Sequence, residues 1–218
     1  MASNKVGSWS AMTTSEYLSD SELMARAAAR EEAAFVEIYR RRRPSIYRFV
    51  LHMTGSEPLA EDITQEVFLA LLGKLTAYDP ARGTVAAYLV GIARKHLLRH
   101  FEQSPAHLSL REESRDGFTT TPESLVERCD PLAKLSSAEA IETVRRAVLT
   151  LPPRYREAVV LCDLEEMAYE EAAAAADCAL GTIRSRLHRG RSLLAKRLRG
   201  AKSSAATAAG LPAKRCLV

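Results

Sequence analysis

The sequence predicts an all-α protein of two small helical domains joined by a flexible linker, the second containing a helix-turn-helix. Three observations carry that prediction. Aromatic residues make up only 6% of the 218, while alanine threads through long Leu/Glu/Arg stretches, a composition that favours helix over sheet. Apolar residues recur at spacings of three and four through two long blocks. Between the blocks, Ser104 to Leu135 holds no period and is rich in Ser, Thr, Glu and Pro. With 47% apolar and 27% charged residues, most of the chain has the material for a core.

Taken in order, residues 1–19 are polar and small and read as a disordered tail. Asp20 or Ser21 is the expected cap of the first helix, with a Glu close behind. Leu23, Ala27, Phe35, Ile38 and Tyr39 continue the helical spacing, followed beyond Pro44 by Ile46, Phe49 and Val50. Pro44 is expected at a helix start or a kink. Gly55-Ser56-Glu57-Pro58 is a turn signal. From Leu59 to Leu75, Ile63, Val67, Leu71 and Leu75 sit four apart, flanked by Phe68 and Leu72, as one broad apolar stripe. Tyr78 to Gly83 reads as a loop, and Thr84 to Gln103 resumes a helix through Val85, Tyr88, Leu89, Ile92, Leu97 and Phe101. These boundaries give a first domain at 20–103, an acidic linker at 104–137, a second domain at 138–200 and a disordered tail at 201–218.

Charge is distributed unevenly. The formal total is +4, from 31 Lys+Arg and 27 Asp+Glu. From Gly181 to Lys202, however, there are eight bases and no acid, whereas Ser104 to Thr143 holds eight acids and four bases. The four cysteines, Cys129, Cys162, Cys178 and Cys216, are far apart and form no CxxC pair. That argues against a zinc site or a disulfide framework and for reduced thiols in a cytoplasmic protein. No apolar run approaches the roughly 18 residues that span a bilayer, and the first 20 residues hold no secretion-type apolar region. Cys216-Leu217-Val218 is one residue short of a prenylation box. No nucleophile–base pair, metal cluster or phosphate-binding glycine loop stands out, so no enzyme activity, cofactor or small-molecule substrate is expected.

Tyr169 to Ala176 reads as a short helix of mostly small residues, Asp177 to Leu180 as a turn, and Gly181 to Gly190 as a second helix with Ile183 and Leu187 on its inner face. Its other face carries Thr182, Arg184, Ser185, Arg186, His188 and Arg189, side chains able to reach phosphates and base edges in a major groove.

Two stretches together resemble the bacterial RNA polymerase sigma factors of the extracytoplasmic-function type. Ala60-Glu61-Asp62-Ile63-Thr64-Gln65-Glu66-Val67-Phe68-Leu69 is similar to the helix by which that family binds the coiled coil of the polymerase β′ subunit. Gly181 to Arg191 is similar to the helix that reads the upstream, minus-thirty-five promoter element, and Leu151-Pro152-Pro153-Arg154-Tyr155-Arg156-Glu157 resembles the opening of that domain. The resemblance implies that the chain binds core polymerase (β′ coiled coil and β flap) and promoter DNA, with an anti-sigma factor as a further partner. It implies core-polymerase contacts by Asp62, Gln65, Glu66, Phe68 and Leu69. Phe68 fits a core position or an interface anchor equally well. Minus-thirty-five contacts fall to Thr182, Arg184, Ser185, Arg186, His188 and Arg189.

The Tyr78–Gly83 loop and the helix after it resemble the segment that captures the minus-ten element and helps melt the duplex. Asp79, Arg82, Tyr88, Arg94, Lys95 and Arg99 are the implied contacts. Tyr88 stands where the family has Trp, and its apolar row suits a core role better than stacking. Ala168 leaves the helix after it without the family's usual capping hydroxyl. Ala172 and Ala176, where Ile and Leu are usual, predict a weakly packed second domain. Cys178 reads as a packed small hydrophobe, and Arg40 to Arg43 as a solvated helix end or a contact for DNA or polymerase. Ser104 to Leu135, 32 residues, spans roughly 28–34 Å as a coil and at most about 105–115 Å, so it bridges promoter elements about 70 Å apart only when stretched.

Overall fold

A computed structural model describes residues 18–103 and 137–209. Among them are eight α-helices and no strand. The first group is α1 (Asp20–Ala28), α2 (Glu32–Thr54), α3 (Glu57–Leu72) and α4 (Val85–Gln103). The second is α5 (Ser137–Leu149), α6 (Pro153–Val159), α7 (Tyr169–Ala175) and α8 (Leu180–Ala209). The linker lies almost wholly outside the described residues. The α8 backbone continues past Gly200, where the sequence reading ended the second domain, as far as Ala209.

Local chemistry sets the helix ends. The cap of α1 is Ser19, not Asp20 or Ser21. Glu22 stands three residues after it, so the Ser19 hydroxyl accepts the Glu22 N–H while the Glu22 carboxylate accepts the Ser19 N–H at 2.8 Å. Pro44 neither starts nor ends a helix. It lies inside α2, with Ile38 buried before it and Ile46, Phe49 and Val50 buried after it, and that packing carries the helix across the proline. Gly55 closes α2 in the left-handed region at φ 72°. Ser56 then caps α3 through the Leu59 N–H. The expected Tyr78–Gly83 loop follows a single 3₁₀ turn, Leu75–Ala77, and contains another, Pro80–Arg82.

Leu23, Met24, Ile38, Phe49, Val67, Leu71, Leu89 and Leu97 form the centre of the first group. In the second, Val148, Leu151, Val160, Leu161, Ile183 and Leu187 are buried together with Ala172 and Ala176. The two centres join in one continuous apolar cluster. Ala168 caps α7 without a side-chain acceptor, as the sequence implied, but Glu171 reaches back to accept the Ala168 N–H at 3.1 Å.

The run Arg40–Arg42 is engaged within the fold. Arg40 and Arg41 both donate to Glu37, and Arg41 and Arg42 reach Asp20 of α1. The two Asp20 pairs fasten α1 to α2. The Arg40 hydrogen bond, aided by Arg41, holds the Glu37 carboxyl down at about 2. A lowered carboxylate pKa contributes stability above its unfolded value near 4.5, and that contribution is lost as pH falls toward 2. Glu37→Gln is therefore expected to lower the thermal midpoint at pH 7. The gap to the parent should close steadily between about pH 4.5 and 2, as melts at stepped pH would show.

Gly190 lies inside α8 because α6 leaves no room for a side chain. A Cβ there would meet Val159 Cγ2 at 2.7 Å and the Tyr155 carbonyl at 3.0 Å. Alanine gains about 1 kcal/mol of helix propensity, but overpacking against a backbone oxygen costs about 1–3 kcal/mol. Gly190→Ala should destabilise the chain in urea titration, while Gly181→Ala, with nothing within 4 Å, should not.

Candidate nucleic-acid interface

Three surfaces carry the residues singled out by sequence. The first is the helix-turn-helix. Ala172, Ala173 and Ala176 are buried, which lets α8 lie close on α7 with Ile183 and Leu187 inward. The turn passes through Asp177 at φ 50°, and the Cys178 N–H returns to the Ala173 carbonyl at 3.0 Å. This leaves Arg184, Ser185, His188 and Arg189 exposed on one face, with Thr182 and Arg186 half-buried beside them. The Arg184 guanidinium lies 5.7 Å from the ring centre of Tyr169, an aromatic the sequence reading passed over. That contact ties Arg184 to the start of α7 on the exposed face of α8. Cys178 is half-buried against the core, and burial pushes its thiol above its ordinary pKa, as for a packed small hydrophobe.

The second surface is the turn before α4 and that helix's first half. Asp79, Arg82, Tyr88, Arg94 and Lys95 all line one cavity of about 300 Å³, together with Tyr78. Arg99 lies a turn further along α4 and does not line it. The Asp79 carboxylate accepts the Ala81 N–H at 2.9 Å and so shapes the turn. Tyr78 and Tyr88 rings tilt together at 5.6 Å, and the Tyr78 hydroxyl donates to the Gly83 carbonyl at 3.1 Å. Tyr88 is half-buried: one side packs on the core and another faces the cavity. The sequence signal for Tyr78 was a second aromatic ten residues before Tyr88, in a loop from which only Asp79 and Arg82 were singled out. Arg94 is engaged by Glu157 of α6 at 2.7 Å.

The third surface is the solvent side of α3. Asp62, Gln65, Glu66 and Leu69 are exposed along it. Phe68 turns inward, only 3% exposed, and meets Tyr39 edge-on at 4.8 Å. Leu69 (67% exposed) and Leu72 of α3 are exposed apolar residues, as are Val36 and Tyr39 of α2, Tyr39 lying beside this face through its contact with Phe68. The sequence reading placed Tyr39 and Leu72 in apolar helical rows and did not single out Val36. Glu66 lies 2.6 Å from His96 of α4.

Residues 38–104 match the Sigma-70 region 2 family and residues 141–194 the Sigma-70, region 4 family. The chain is 33% identical over 176 residues to the ECF RNA polymerase sigma factor SigE of Mycolicibacterium smegmatis, covering 79% of this chain and 63% of that protein. It is 28% identical to SigW of Bacillus subtilis, covering 78% of this chain and 91% of SigW. It is 32% identical to the probable RNA polymerase sigma-C factor of Mycobacterium bovis, covering 68% and 75%. The fold is similar to that of CnrH in complex with the cytosolic domain of CnrY, with a TM-score of 0.61 at 21% identity, covering 83% of this chain and 97% of that one. It is also similar to RpoE in complex with the anti-sigma factor NepR from Bartonella quintana, with a TM-score of 0.55 at 23% identity, covering 76% and 96%. No helix among the described residues is long and apolar enough to cross a membrane. A helix-turn-helix, an exposed mixed face on α3 and relatives matched across both halves agree: the chain belongs to the ECF RNA polymerase sigma factors, a family of DNA-binding proteins of transcription initiation.

Proposed function

We propose that this chain binds core RNA polymerase through α3 and carries it to specific promoters. It would read the upstream element with α8 and help open the duplex at the downstream element with the Tyr78–Lys95 segment. The domain division drawn from the sequence (20–103 and 138–200) is part of this proposal. The observation that carries it is the pairing, in one chain, of a basic helix-turn-helix face with the exposed Asp62, Gln65, Glu66 and Leu69 of α3. A DNA regulator acting alone has no use for the second face.

Each surface suits its role by chemistry. The acids of α3 and the exposed Leu69, Leu72, Val36 and Tyr39 present charge and apolar area to one partner, the combination that anchors protein interfaces. Phe68 supports that face from beneath. On α8, Arg184, Arg186, Arg189 and His188 neutralise phosphates, while Thr182 and Ser185 hydrogen-bond base edges or backbone. At α4 the cavity beside Tyr78 and Tyr88 offers a stacking wall to an unstacked base, with Arg82, Lys95 and Arg99 gripping the strand around it. Bond making and breaking are left to the polymerase. An anti-sigma partner is part of the proposal, since two structural neighbours were solved with such partners or a partner's cytosolic domain.

Run-off transcription with bacterial core polymerase over a promoter library tests the reading. Promoter-dependent transcripts are expected. Asp62→Ala combined with Leu69→Asp should remove them while duplex binding persists. Salt-sensitive duplex binding with no transcript would favour a stand-alone regulator, and loss of both a decoy for an anti-sigma factor.

With about four phosphates contacted, log affinity for the upstream duplex should fall against log salt with a slope near −3.6. Arg184→Ala should reduce that slope by about 0.9 if the side chain meets a phosphate. Should it instead reach a guanine edge, discrimination at one base pair would relax by about 1–3 kcal/mol.

A further inference from the structure

Glu66 stands on the exposed side of α3, yet its carboxylate has a partner on another helix. Its Oε2 lies 2.6 Å from Nδ1 of His96 on α4, a residue 30 positions away. An ionised carboxylate can only accept, so Nδ1 carries the proton and donates it. The separation is at the short end for a bond to a charged acceptor. The backbone on both sides is fixed. Val67 and Leu97, the next residue along each helix, are 0% and 2% exposed where α3 and α4 pack together. The His96 side chain is 19% exposed and that of Glu66 is 56% exposed. The imidazole is therefore sheltered while the carboxylate is open. A carboxylate accepts about four hydrogen bonds, so the bond to His96 leaves most of that capacity to an outside partner.

We propose that His96 is a positioning residue for the polymerase-binding face: its Nδ1–H holds the Glu66 carboxylate in the orientation that a basic side chain of core polymerase meets. This rests on the function proposed above and deepens it. A long, flexible Glu side chain gives up rotamer freedom when a partner immobilises it, and that loss weakens binding. The bond to His96 places the loss in folding, before the partner arrives. A neutral imidazole suits the task, because it directs the carboxylate without cancelling the charge that the partner needs. A Lys or Arg in its place would compete with the partner's own cation. The affinity of α3 for polymerase then depends on a residue of α4 that polymerase need not touch. His96 follows Lys95 directly and stands three positions before Arg99, so the helix proposed to grip the DNA strand also tunes the opposite surface.

The test is a double-mutant cycle on the full chain, read as affinity for bacterial core polymerase. His96→Leu removes the donor, and His96→Asn keeps an N–H near the place of Nδ1. His96→Leu should weaken binding about threefold, within the range of an exposed pair. His96→Asn should bind nearly as the parent does, and His96→Leu should have no effect in a Glu66→Ala background. Binding of the upstream duplex by α8 should be equal in all variants and reports their folding. A second readout needs no polymerase. Nitrogen NMR of the neutral ring should find the proton on Nδ1 in the parent and on Nε2 in Glu66→Ala. Unchanged or tighter binding by His96→Leu, an equal loss with and without Glu66, or a parent ring protonated on Nε2 each overturns the positioning role. A parent that keeps the proton on Nδ1 but fails to bind polymerase overturns the proposed function, and this role with it. Binding by the parent without coupling between the two positions overturns the role alone.

Discussion

Three consecutive residues of α6 point in three directions, and the packing of the molecule depends on them. Successive positions on a helix are about 100° apart, so Tyr155, Arg156 and Glu157 cannot share a neighbour. The Tyr155 hydroxyl accepts Arg189 of α8 at 3.5 Å, while its backbone carbonyl lies under Gly190. Arg156 donates to the carbonyls of Met53, Leu149 and Leu151. Glu157 meets Arg94 of α4. Of the three, Arg156 carries the heaviest demand. The last carbonyls of a helix have no partner of their own and sit at its negative end, so one guanidinium serves α2 and α5 together. Burial disfavours its charge, and the three carbonyls offset part of that cost. Moving α6 would free carbonyls on both helix groups at once.

The long amphipathic elements were legible because period and packing agree there. In α3, Ile63, Val67 and Leu71 face inward in the structure as they do in the pattern, and Ile183 and Leu187 do the same in α8. Features decided by single hydrogen bonds or distant partners were less legible. The cap at Ser19 depends on Glu22 three residues later, and Asp20, one of the two expected caps, is drawn instead to Arg41 and Arg42. The arginine run was ambiguous because its acceptors, Glu37 and Asp20, sit on two helices. Ala172 and Ala176 were read as missing core volume, and both are buried; it is Ala175 of the same helix whose carbonyl faces Gly91 of α4, a contact that no pattern within α7 announces.

The same divide holds for the candidate surfaces. Five of the six downstream-element residues converge on one cavity, since a turn and the first half of a helix keep nearby residues together. The lateral extension of the α3 face to Tyr39 of α2 could not be read, because nothing in one helix states which helix lies next to it. The tie between Arg94 and Glu157 spans 63 positions in sequence and crosses the linker, beyond the reach of any periodicity.

Gly190 fixes the rotational phase of α8. A roll of one position about the helix axis would bring a side chain against the Tyr155 carbonyl, so the inward line of Ile183, Leu187 and Gly190 has one setting. The outward residues then inherit a fixed angular address, whatever their identity. Under the proposed function, exchanging Arg184, Ser185 or His188 would alter what is read without altering where the helix sits. Sequence preference on this scaffold would then drift by surface substitution alone, with foldability held constant by the buried residues of α8. A duplicated copy could acquire a new target set without passing through an unstable intermediate.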